Sequence, residues 1–111
     1  MKLSKLYYFD DTFKMHYYFT WKESQFNKLM KKYGVKSSVK TCNGKHIALN
    51  DNGQLISIIF SRDGEQSTLT HECVHAGIYL LSTINQPLVD DEILPYVTEN
   101  LVRKYNRIKR K

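Results

Sequence analysis

Thr70-His71-Glu72-Cys73-Val74-His75-Ala76 is the stretch from which the rest of the chain is read. Two histidines stand four residues apart, with a glutamate directly after the first. On an α-helix, positions i and i+4 lie on one face, one turn apart. His71 and His75 can therefore reach a single ion, with Glu72 beside that ion rather than on it. This is the H-E-x-x-H pattern, two zinc ligands and a general base within little more than one helical turn.

Composition alone would produce such a match roughly once in a hundred chains of this kind, so the setting of the motif carries weight. Leu69, Cys73, Ala76 and Leu80 form one apolar stripe at helical spacing, and Val74, Ile78 and Leu81 form another. The spacing predicts a largely buried helix from about Leu69 to Ser82, with Ser67 or Thr68 as its N-cap. His71, His75 and Glu72 are polar exceptions on that helix, and buried ionisable groups are costly unless paired or bound to metal. Cys73 points away from the histidine face and reads as core rather than as a ligand.

Upstream of the motif the pattern is that of strands. Lys5 to Phe9 and Phe13 to Trp21 are rich in aromatic and β-branched residues around an Asp10-Asp11-Thr12 turn, which predicts a hairpin. Their aromatics read as core and sheet surface rather than as a base-stacking platform, and His16 as an exposed strand residue. Lys22 to Tyr33 has Phe26, Leu29, Met30 and Tyr33 at helical spacing, with Gly34 as its stop. Val39 to Cys42 and His46 to Leu49 flank Asn43-Gly44, a hairpin signal. The turn Asn50-Asp51-Asn52-Gly53 then leads into Leu55 to Phe60, the most strand-like run in the chain. The expected fold class is α+β: a small antiparallel sheet of about five strands, one helix between hairpins, and a C-terminal helical pair carrying the motif.

Downstream, Thr83 to Val89 reads as a loop containing Pro87, and a second helix begins around Asp90 to Glu92. Ile93, Val97, Leu101, Tyr105 and Ile108 mark its apolar side, and Pro95 is tolerable only near its start. A zinc site needs at least three protein ligands. No histidine follows His75, so the downstream candidates are the carboxylates Asp90, Asp91, Glu92 and Glu99. Glu92 and Glu99 are seven residues apart, so both can face an antiparallel motif helix. The metzincin extension would need Gly at 78 and His at 81, where this chain has Ile78 and Leu81.

The bulk numbers bound the rest. At 111 residues the chain is one domain, 1–111, with room for a modest core. Its net charge is +6, concentrated in Lys28 to Lys36 and Arg103 to Lys111. Solvated helix faces and a complemented helix dipole explain both runs better than nucleic-acid contact does. Two cysteines, Cys42 and Cys73, give no disulfide framework, which points to a reduced, cytoplasmic protein. No apolar run approaches the length of a membrane span, and no signal-peptide core stands at the N-terminus.

The run His71-Glu72-Cys73-Val74-His75, followed by Glu92-Ile93-Leu94-Pro95-Tyr96, resembles the gluzincin metallopeptidases. In their pattern a Glu on the next helix is the third zinc ligand. The wider stretch from THECVHAGIYLL to DDEILPYVTENL is similar to short metallopeptidase-like proteins of bacteriophages and bacteria, and covers mainly Ile56 to Leu101. The resemblance implies a minimal zincin-like core, zinc bound by His71, His75 and Glu92, and Glu72 as the base. It departs at Pro95, where a small residue is usual, and at Tyr96, where larger members often carry an Asp. Their oxyanion-steadying His or Tyr has no clear counterpart, leaving Tyr96 and Tyr79 as candidates.

The expected activity is zinc-dependent hydrolysis of peptide bonds by a metal-activated water, with Glu72 as general base. A peptide or protein substrate would add as a strand at Leu55 to Phe60, if that strand is the sheet edge. The first alternative is a non-catalytic zinc-binding or interaction protein on the same scaffold, such as a phage factor that binds a host protein in the host cytoplasm. The second is a basic nucleic-acid-binding regulator.

Overall fold

The computed structural model describes residues 2–84 and 93–111. Strands β1 (Tyr7–Asp10) and β2 (Met15–Thr20) are followed by helix α1 (Glu23–Tyr33). Strands β3 (Gly44–Asp51) and β4 (Gln54–Ser61) come next, then helices α2 (Gln66–Thr83) and α3 (Ile93–Arg110). The fold is α+β, as its sequence pattern predicts, but the sheet differs from the expected one. It has four strands in the order β1-β2-β4-β3 and is mixed, because β2 and β4 run parallel. The two hairpins are antiparallel.

The missing fifth strand has a local cause. Val39 to Cys42 forms no strand, because Arg62 takes its carbonyls: the guanidinium donates to the backbone oxygens of Val39 and Cys42. Asn43-Gly44 makes no hairpin either, and Gly44 instead opens β3. The hairpin turn falls at Asn52-Gly53, where both residues have positive φ and the flanking Asp51 and Gln54 are paired.

Strand β4 is the centre of the sheet. Ile56, Ile58, Ile59 and Phe60 are all buried, the signature of a strand covered on both faces. It bonds to β2 on one side and β3 on the other, so Leu55 to Phe60 has no free edge for an added strand. Among the described residues β3 pairs with β4 alone, which makes β3 an edge next to α2.

Helix α1 covers one face of the sheet, Phe26 meeting Phe60 and Tyr33 meeting Tyr18 edge-on. The other face carries α2 and α3. Tyr105 of α3 packs edge-on against Phe19 and Trp21, and its buried hydroxyl reaches the carbonyl oxygens of Thr20 and Ser61 at 2.7 and 3.1 Å. One side chain thus ties α3 to the ends of both central strands. The N-terminal aromatics Tyr17, Tyr18, Phe19 and Trp21 are buried, as core residues should be. No helix among the described residues is long and apolar enough to cross a membrane.

Candidate metal centre

Helix α2 is longer than its periodicity suggests and starts from a different cap. Glu65, rather than Ser67 or Thr68, caps it, its carboxylate accepting from the backbone N–H groups of Thr68 at 2.8 Å and Ser67 at 3.1 Å. Those bonds, Thr68 first, hold the Glu65 carboxyl at about 2, well below the usual range. The stripe Leu69, Cys73, Ala76 and Leu80 is fully buried against the sheet. Of the second stripe Leu81 is buried, Val74 is half-buried and Ile78 is exposed.

Two glycines set how closely α2 is approached. A Cβ at Gly77 would stand 2.9 Å from Leu94 Cδ1, so the glycine lets α3 lie directly on α2. The helices are antiparallel: Gly77 meets Leu94 and Thr98 near the start of α3, and Lys109 near its end packs on Gly64, just before α2. On the strand side, a Cβ at Gly44 would stand 2.4 Å from Thr68 Cγ2 and 2.8 Å from Glu72 Oε2. Gly44 therefore leaves the space that the Glu72 carboxylate occupies.

His71 and His75 emerge on the solvent side of α2, between the β3 flank and the α3 flank. Both are exposed, so burial cost does not act on them, contrary to the expectation for this helix; Glu72, 8% exposed, is the buried member. Their Nε2 atoms are 3.2 Å apart and their rings meet edge-on, with centroids 4.8 Å apart. Two imidazole nitrogens on one tetrahedral zinc, with bonds of about 2.05 Å, stand about 3.3 Å apart. The pair is thus spaced as zinc would require. Ligand atoms of His71, Glu72 and His75 all lie within 4.8 Å of one another, a group that could hold a metal ion.

Strand β3 adds a residue from outside the motif. His46 shares a sheet face with Gly44, two residues away, and packs against the turn of α2 that follows His75, its ring 6.1 Å from that of Tyr79. Its Nε2 lies 2.8 Å from Ser57 Oγ on β4. Burial, and then the neighbouring His75, lower its pKa to about 4, so it is neutral at neutral pH. A search for partners confined to residues after His75 misses it. The signal available was its position in the strand pair that leads into the motif.

The other candidates are distributed as follows. Glu92, with Asp90 and Asp91, lies outside the described residues. Glu99 borders a shallow apolar depression with Thr70, Val74 and Leu94, and its carboxylate pairs with Arg103 at 3.0 Å on the exposed face of α3. It is not one of the three residues grouped around the histidines. Tyr96 is 75% exposed and borders an apolar cavity of about 590 Å³ with Tyr17, Leu80 and Leu101; its described lining includes none of His71, Glu72 or His75. Tyr79 lies one turn beyond His75 and faces His46.

Burial, with Glu72 second, pushes the Cys73 thiol up to about 12, so it is protonated and belongs to the core. His16 is half-buried rather than exposed, with Nδ1 2.6 Å from the Tyr7 hydroxyl. Arg103, Arg107, Arg110 and Lys111 gather with Asn106 around one concavity at the end of α3. The chain matches no family model, no curated protein and no solved structure.

Proposed function

We propose that the chain is a minimal zinc metallopeptidase whose metal is held by His71 and His75. The observation that carries this reading is the 3.2 Å Nε2 separation of two exposed imidazoles, with a carboxylate from the same helix within 4.8 Å. The two rings share an N–H···N hydrogen bond at this distance, which on an exposed helix is worth about 0.5–1.5 kcal/mol, and a shared ion would hold the same pair far more strongly. Glu92 is the third ligand that the resemblance to gluzincins implies; Glu99 is already engaged by Arg103.

When bound, zinc would supply Lewis acidity to a peptide carbonyl and acidify a water molecule at neutral pH. Glu72, within 4.8 Å of both histidines, would take the proton of the attacking water and pass it to the leaving amine. Its carboxylate has no hydrogen bond or ion pair among the described residues. The substrate is a peptide in extended form. With β4 enclosed, the strand that can receive it is the open edge of β3, from which Gly44 faces Glu72 and His46 faces the turn after His75. Backbone pairing of that kind binds with little dependence on side chains.

The test is cleavage of a fluorescein-labelled casein by tag-free protein loaded with one equivalent of zinc. Activity is expected with zinc, falls at least tenfold after chelation, and returns when zinc is restored. Zinc binding without cleavage would favour the non-catalytic interaction protein on the same scaffold.

A further inference from the structure

We infer that His46 is the hydrogen-bond donor of this site on the strand side, presenting Nδ1–H to the peptide oxygen that gains negative charge during attack. The inference rests on the metallopeptidase reading and adds a residue to it that the motif does not contain.

The tautomer follows from Ser57. That side chain is fully buried in β4, and a buried hydroxyl finds an acceptor for its proton. Among the described residues its partner is His46 Nε2, at 2.8 Å. A hydroxyl that donates to Nε2 makes that nitrogen the acceptor, and a neutral imidazole with an acceptor at Nε2 carries its proton on Nδ1. Nδ1 itself has no partner among the described residues. A fixed ring therefore holds an unused N–H group.

Its position gives that donor a use. Gly44 and His46 point to the same side of the edge strand, Gly44 onto Glu72 and His46 onto the turn joining His75 to Tyr79. A peptide laid along β3 passes its carbonyls beside both. The helix supplies two ligands and a base, but none of these donates a hydrogen bond to a developing oxyanion. A preorganised donor at such a place is worth about 10²–10³ in turnover. His46 is held by the sheet and needs no loop to close.

Two measurements test this. The first is the long-range ¹H–¹⁵N spectrum of labelled protein without metal, in which His46 is expected as the Nδ1–H tautomer and Ser57→Ala is expected to erode that preference. An Nε2–H tautomer in the wild type overturns the inference, whatever the metal does. The second is acetohydroxamate binding to the zinc-loaded protein. His46→Ala is expected to bind at least tenfold more weakly with zinc content unchanged, and His46→Gln, which keeps an N–H donor and the bulk of the side chain, to fall between. Equal affinity in His46→Ala with zinc retained overturns the role of His46 alone. Loss of zinc in that variant overturns it too, by making His46 a ligand. A wild type that takes no zinc overturns the metal reading itself, and this role with it.

Discussion

Glu72→Gln is expected to keep its zinc and to lose peptide cleavage by about 10²–10⁴-fold in kcat/KM. Gln is nearly isosteric, so the space beside Gly44 stays filled and α2 keeps its packing. What changes is basicity: an amide cannot take a proton from water or deliver one to the leaving amine. Since His71 and His75 lie on the solvent side of the helix, metal content should be unaffected. Steady-state rates on the casein substrate, with zinc measured in the same samples, check both halves. A variant as fast as the wild type would remove Glu72 from the chemistry.

Gly44→Ala is expected to damage the same carboxylate from the opposite side. The added methyl would stand 2.4 Å from Thr68 Cγ2 and 2.8 Å from Glu72 Oε2. Neither contact can persist, so either α2 lifts from β3 or the Glu72 side chain swings away. Overpacking of this kind costs about 1–3 kcal/mol, read from urea unfolding. Cleavage should fall with it while zinc stays bound. Thr68→Ser removes the Cγ2 methyl and is expected to recover part of the stability in the double variant. Unchanged stability and rate in Gly44→Ala would mean that the strand does not set the position of Glu72.

How far the sequence carried the fold depended on whether a signal was local. The motif helix, α1 with its stop at Gly34, the Asn52-Gly53 turn and the buried stripe from Leu69 to Leu80 follow from periodicity and turn chemistry within a few residues. The strand order did not. Whether β4 is an edge or a centre depends on pairing with β2, about forty residues earlier. The unbroken burial of Ile56 to Phe60 is the physical trace of that pairing, and its apolar run was the available hint. Gly44 misled because Asn-Gly is a turn signal, while here the glycine answers to the approach of Thr68 and Glu72.

The site was legible in the same measure. His71, Glu72 and His75 come together because a helix guarantees it. His46 comes up to α2, at Tyr79, only through the β3–α2 contact, which no spacing encodes, and its ring is held by a serine in another strand. Glu99, a candidate because it lies seven residues from Glu92, pairs with Arg103 four residues on, an i,i+4 pairing visible in the sequence once both are placed on one helix.

The two-histidine metal centre is the claim on which the rest depends, and zinc per chain measures it directly. Elemental mass spectrometry on wild type, His71→Ala and His75→Ala, all purified without a histidine tag, should give one zinc in the wild type and none in either variant. Wild-type protein that stays empty after loading, or variants that keep their zinc, would contradict it.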